Sequence, residues 1–254
     1  MHNVHMESLS ERENRTNTNM PDTSEACYGF EEGSWVFDDK VAENWQNEMD
    51  GHIPSYWHVI KLSAEIVERI HGKSARILSF WTATGNQFIP YLERGWDPKN
   101  FFGMNYSEPL DQSFRERYPH SQSRQVDIED RPYNPTIDAP FDVVQMHWSL
   151  HFEPLEKRTQ VLQQIYDSLN TGGTLLLTDK TAQPAIVESL YHDFKRSQGV
   201  SDEEIAAKKK AIVGVLDSLP SHWYENALKD TGFVDICVVH ANLGFVTWVA
   251  RKRD

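Results

Sequence analysis

Apolar residues in the middle of this chain come in short blocks separated by a longer periodic stretch. Asp142 to His147, led in by Pro140, is an apolar block of strand length. Val161, Ile165 and Leu169 then recur at helical spacing, flanked by Leu162 and Tyr166. Gly172-Gly173 predicts the stop of that helix, and Thr174 to Thr178 is a second apolar block. Strand, helix, glycine turn and strand make a βαβ unit, whose crossover forces the two strands to run parallel. Blocks that stay apolar without alternation suit parallel strands, which are covered on both faces. Ligands of such sheets sit beyond the carboxyl ends of the strands. Those ends carry Met146, His147 and Trp148 in one case, and Thr178, Asp179 and Lys180 in the other.

The same pattern continues on both sides. Val59, Ile60, Ser63, Ile66, Val67 and Ile70 form a helical stripe ending near Gly72. Ala75 to Phe80 reads as a strand, Trp81 to Gly85 as a turn, and Gln87 to Arg94 as a helix. Lys99 to Asn105 is a second strand, followed by a helix start at Ser107-Glu108-Pro109. Ser123 to Val126 is a short third strand, running into Asp127-Ile128. After Lys180, Ile186, Leu190 and Phe194 are spaced by four, and Ser201 to Glu204 is a capping-box start. That insert, at about residues 183–220, is too polar to be buried and is expected to lie over the carboxyl edge as a lid. A helix from Trp223 to Lys229 stops at Gly232, and Val234 to His240 with Gly244 to Ala250 form a hairpin. The expected fold is α/β: a Rossmann-like class I methyltransferase sheet, mostly parallel, with a C-terminal antiparallel hairpin. The polar residues 1–33 are expected to be a disordered tail, and 34–254 one domain.

The formal net charge is −13, which argues against nucleic acid as a partner. The two cysteines, Cys27 and Cys237, have no metal or redox spacing, and no metal ligand set is visible among His151, His192, His222 and His240. No run reaches the roughly 18 apolar residues a membrane span needs, and the N-terminus is too polar for a signal peptide. A cytoplasmic protein acting on a small molecule is the expectation.

From Val36 onward the chain resembles the carboxy-S-adenosylmethionine synthases of the class I methyltransferase superfamily. The likeness is carried by Phe37-Asp-Asp-Lys-Val-Ala42, Pro54-Ser-Tyr56 and Gln164 to Gly173. It continues in His192-Asp-Phe-Lys-Arg196, Ser201 to Ile205, Gly232-Phe233 and Asn242-Leu-Gly-Phe245. The resemblance implies S-adenosyl-L-methionine (SAM) as cofactor and a homodimer exchanging helices through the insert. It also implies contacts from Tyr56, the first loop (Ser79, Trp81, Gly85), Asn105-Tyr106, Asp127-Ile128, His147 and Lys209. Several of these positions depart from the family. Ser79 replaces an acid, Trp81 a glycine, Asn105 an acid, His147 an asparagine and Lys209 an arginine.

Tyr56, Trp81, Tyr106 and Trp148 are candidates to face a sulfonium, which gains about 0.5–2 kcal/mol against an aromatic ring. His147, Tyr56 and Trp148 are the candidate catalytic residues, with His147 as a proton acceptor. The simplest activity is transfer of a methyl or alkyl group from SAM to a small molecule. Alternatives are cyclisation of SAM itself to azetidine-2-carboxylate with release of methylthioadenosine, carboxy-SAM synthesis, and a non-catalytic scaffold.

Overall fold

The computed structural model describes residues 39–126 and 134–253. The expected tail over 1–33 and the Asp127-Ile128 pair lie outside the described residues. Two helices, α1 (Asp39–His52) and α2 (Tyr56–His71), precede the sheet. The predicted stripe of α2 buries Val59, Ile60, Ser63 and Val67, and Gly72 ends the helix at φ 69°. Ile70, at the far end of that stripe, is exposed.

The seven strands are β1 (Ile77–Ser79), β2 (Phe101–Asn105), β3 (Gln122–Gln125), β4 (Phe141–His147), β5 (Leu169–Lys180), β6 (Val234–Asn242) and β7 (Phe245–Arg251). Their order is β3-β2-β1-β4-β5-β7-β6. The first five pair in parallel, and β7 runs antiparallel between β5 and β6. The switch in direction of winding falls between β1 and β4, the place where open sheets of this kind hold their ligands.

Helices α3 (Ile89–Glu93), α4 (Glu108–Arg117), α5 (Arg158–Ser168) and α8 (Ser221–Thr231) cover the sheet. The insert supplies α6 (Ala185–Ser197) and α7 (Asp202–Ala211). The two local start signals hold: Ser107 accepts the Leu110 N–H, and Ser201 and Glu204 form a complete capping box. Gly232 closes α8 at φ 107°.

β4 shows how the sheet is buried on both faces. Val143 joins one apolar cluster with Ile77, Val67, Phe88, Tyr91 and Phe114. Val144 and Met146 join the opposite cluster with Leu162, Ile165, Tyr224 and Trp248. Each such side chain contributes about 1.5–3 kcal/mol through burial. A third, smaller cluster joins Met49, Ile53, Tyr56 and Ile60 to Tyr191 of α6 and Phe245 of β7. It fastens the insert to the helices before the sheet, the position expected for a lid.

One boundary differs from the sequence reading. α5 ends at Ser168, before the glycines, and β5 already begins at Leu169. Leu169 pairs with Phe141, and the register then jumps to Thr174 opposite Val143. Gly172 at φ 73° and Gly173 serve that jump; a Cβ at Gly173 would sit 2.7 Å from the Asn170 carbonyl oxygen. The glycines make a bulge at the foot of the strand rather than stop the helix.

Candidate functional site

The first loop, Phe80 to Gly85, leaves β1 at the carboxyl edge. Trp81, Ala83 and Gly85 have φ of 55°, 50° and 83°. Alternate residues therefore lie in the left-handed region that glycine enters freely and other residues enter at about 1–2 kcal/mol each. The path is glycine-like although two of the three residues are not glycine.

Hydrogen bonds hold it there. Thr82 pairs with Met104 like a strand residue, donating N–H to its carbonyl at 2.7 Å and accepting its N–H on Oγ1 at 2.8 Å. Asn105 clamps Ala83, accepting its N–H at 2.7 Å and donating to its carbonyl at 3.1 Å. Gln87 Nε2 donates to Ser79 Oγ and to the Thr82 carbonyl at 2.9 Å. The Asn105 amide, expected to meet a ribose, is thus directed at the loop backbone, and Ser79 is tied to Gln87. Gly85 makes room for α4: a Cβ there would lie 2.5 Å from Tyr118 and 2.7 Å from Phe114.

Trp81 lies on Tyr106 with ring centres 3.4 Å apart. Its indole N–H donates to Glu153 Oε1 at 2.7 Å, and Glu153 is buried. Sequence reasoning missed Glu153; its partner is 72 residues away, and nothing local marks it. Tyr56 and Trp148 form a second ring pair at 4.7 Å. Asn86 donates to the Tyr56 hydroxyl at 3.2 Å, and Arg117 holds Asn86 at 2.7 Å. Burial raises the Tyr56 hydroxyl above its ordinary range, so it stays protonated. No ring contact joins the two pairs among the described residues.

Trp148 takes φ 53° directly after β4, and its N–H donates to the Thr178 carbonyl. Its indole nitrogen and the Thr84 hydroxyl are both buried and find no hydrogen-bond partner among the described residues. Such groups are costly to leave unmet, so they mark where a ligand's polar atoms would be welcome.

His147 is buried, with Nδ1 2.8 Å from Thr178 Oγ1 and Nε2 3.3 Å from Ser63 Oγ. Burial lowers its pKa to about 3. Both ring nitrogens are engaged between α2 and the sheet, which suits a positioning group better than the expected proton acceptor. Lys209 is exposed on α7. Its neighbour Lys208 turns inward instead and meets Glu48 at 3.6 Å. Asp127 and Ile128 lie outside the described residues.

Strand order and the left-handed first loop together define a class I methyltransferase architecture. Residues 82–177 match the methyltransferase domain family. That stretch is similar to the methyltransferase domain, and the fold of the chain is that of the class I methyltransferases. It is 28% identical over 250 residues to a carboxy-S-adenosyl-L-methionine synthase of Shewanella amazonensis, covering 92% of this chain and 100% of that protein. A 1,6-didemethyltoxoflavin-N1-methyltransferase of Burkholderia thailandensis, solved with S-adenosylhomocysteine, has 15% identity and TM-score 0.54 over 84% of this chain and 85% of that one. The CurJ carbon methyltransferase has 16% identity and TM-score 0.54; the alignment covers 77% of this chain but only 54% of that one.

Proposed function

We propose that this protein binds SAM at the carboxyl edge of β1, β2 and β4 and transfers a methyl or alkyl group to a small molecule. The observation that carries the reading is the first loop. Its backbone keeps a left-handed path at Trp81, Ala83 and Gly85 despite the strain of two non-glycine residues. Strain of that kind persists where the surrounding structure holds it, and it clusters at ligand sites.

The residues present fit the cofactor in a modified form. Tyr56, Trp81, Tyr106 and Trp148 offer aromatic faces, and the Thr84 hydroxyl and Trp148 indole N–H have no hydrogen-bond partner among the described residues. The resemblance adds Asp127 and Ile128. SAM supplies an activated carbon beside a sulfonium leaving group, so alignment is most of what the protein must add. Tyr56 and Trp148 close the site from the helical side and exclude water. Glu153 fixes the indole plane of Trp81.

The test is incubation of the full chain with SAM and product analysis. S-adenosylhomocysteine formed only when an acceptor is added supports transfer. Methylthioadenosine from SAM alone would show cyclisation instead, and a carboxylated sulfonium formed with prephenate would show the activity named for the relatives. Calorimetry with no heat for either SAM or S-adenosylhomocysteine would remove the cofactor site altogether.

A further inference from the structure

A second imidazole stands at the carboxyl ends of β4 and β5. His151 lies in the turn that follows β4, between Trp148 and Glu153, and is buried. Its carbonyl accepts Arg158 Nη2 at 2.9 Å and the Asp217 N–H at 3.1 Å. Arg158 Nε also donates to the Glu153 carbonyl at 3.0 Å, so a fully buried guanidinium fixes the turn at two carbonyls. Asp217 belongs to the segment that returns from α7 to α8, which ties the end of the insert to the same turn.

The His151 ring meets Asp179, near the end of β5. Nδ1 stands 2.9 Å from Asp179 Oδ1. Asp179 is fully buried, and neither of its oxygens has an aligned hydrogen-bond donor among the described residues. Tyr224 faces the same carboxylate: burial, then the Asp179 charge, raise its hydroxyl above the ordinary range. Nδ1 also lies 3.3 Å from the Lys180 N–H. The two contacts make opposite demands, a proton for the carboxylate and a lone pair for the amide. The carboxylate is nearer, charged and buried, so the proton belongs on Nδ1. A proton on Nδ1 leaves Nε2 as the acceptor. Nε2 has no hydrogen-bond partner among the described residues, whereas both nitrogens of His147 are engaged. A base oriented by a carboxylate, with its second nitrogen open, is the arrangement that proton-abstracting sites use, and its contacts align fully only when substrate is bound.

We propose that His151, oriented by Asp179, takes the proton of a phenolic hydroxyl as that oxygen receives the methyl group. This role rests on the transferase reading. The hydroxyl oxygen bonds to the methyl carbon while the carbon–sulfur bond breaks, its electron pair staying on sulfur. The hydroxyl proton passes to Nε2, and the imidazolium so formed is matched by the Asp179 carboxylate until the proton leaves to water. A carboxylate or thiolate acceptor has no proton to lose and would leave the pair idle. The surroundings favour a ring on the acceptor. Trp148, three residues before His151, packs with Tyr56, Phe194 and Phe245 in one apolar cluster. A phenol offers those rings an aromatic body and presents its oxygen to the polar strand ends.

The probes are catechol and 4-nitrophenol, each added to the full chain with SAM at about pH 8, where 4-nitrophenol is largely ionised and catechol is not. S-adenosylhomocysteine is expected from both. His151→Ala should lower kcat for catechol roughly 100-fold to 10,000-fold, but for 4-nitrophenol by less than about tenfold, because that acceptor needs no base. Its affinity for S-adenosylhomocysteine should stay within about threefold. Asp179→Asn should slow catechol at least about tenfold more than 4-nitrophenol, a ratio that a merely structural residue would not move. Equal losses for the two phenols in a folded His151→Ala overturn the proposal. Should that variant fail to fold, NMR of the unaltered protein decides: catechol should shift the His151 ring nitrogens, and an unmoved ring overturns the role. If S-adenosylhomocysteine binds but neither phenol is converted, the acceptor assignment falls and transfer to another class of molecule stands. No heat with S-adenosylhomocysteine would sink the transferase reading and this role with it.

Discussion

The first loop and the helical cover solve opposite problems. In the loop, backbone shape is fixed and side chains are free to vary around it. Thr82, Asn105 and Gln87 hold the path, so Trp81 and Ala83 occupy left-handed positions without glycine. In the cover, ordinary helices carry polar side chains that turn inward, and Lys195 of α6 is buried among them. A site can thus be rebuilt in two ways: by decorating a retained backbone, or by turning charges inward on a generic one.

Substitutions can break this contrast, and the largest effect is expected at Gly85. Gly85→Ala adds a Cβ 2.5 Å from Tyr118 at a left-handed residue, and should cost about 3–5 kcal/mol in urea unfolding. A loss near zero would show that the loop is not held by α4. His147 tests the wall between cover and sheet. Its folded pKa of about 3 lies below the ordinary 6.5. Above 6.5 it contributes no pH dependence; as pH falls below 6.5, the unfolded chain takes up a proton that the folded chain refuses. Stability should therefore drop toward acid by at most about 1.4 kcal/mol per pH unit, and His147→Asn should flatten that limb of a pH-dependent melting curve. An unchanged acid limb would mean that His147 is not kept neutral.

Asn105→Ala removes both bonds to Ala83 and should cost about 2–3 kcal/mol, read by the same unfolding curves. Trp81→Gly relieves backbone strain but removes one donor from a buried carboxylate, for a net loss of about 1–2 kcal/mol. Its sharper readout is the affinity ratio of SAM to S-adenosylhomocysteine. Only the former carries a sulfonium, so the ratio should fall by roughly threefold to tenfold if the ring faces that charge. The smallest effect is a gain: Ala83→Gly should stabilise by about 0.5–1 kcal/mol, relief of strain outweighing chain entropy. Destabilisation there would show that the Ala83 methyl packs usefully.

The sheet was legible because strands covered on both faces are written as continuous apolar runs. Helix starts at Ser107 and Ser201 were equally plain, because capping is local chemistry. The loop's conformation was not legible: φ above zero is signalled by glycine, and here distant side chains impose it on Trp81 and Ala83. Lys209 was expected among the cofactor contacts, and it stands exposed on α7. The buried phase of α7 runs through Ile205 and Ala211, and Lys208, three residues after Ile205, falls on that face whereas Lys209 does not. That phase was present in the sequence and favours Lys208. Lys195 carried no such mark, because its burial depends on Tyr191 and on α1 packing over the insert. The start of β5 was misread because Gly172-Gly173 serve a bulge instead of a helix stop.

Trp81 has one more consequence. An indole held between a phenol ring and a carboxylate is a fluorophore with quenchers in contact. Any molecule that parts Trp81 from Tyr106, or loosens its grip on Glu153, should change the emitted intensity. The protein therefore carries its own dye at the carboxyl edge of the sheet, and stopped-flow mixing could time the arrival of a nucleoside without any label.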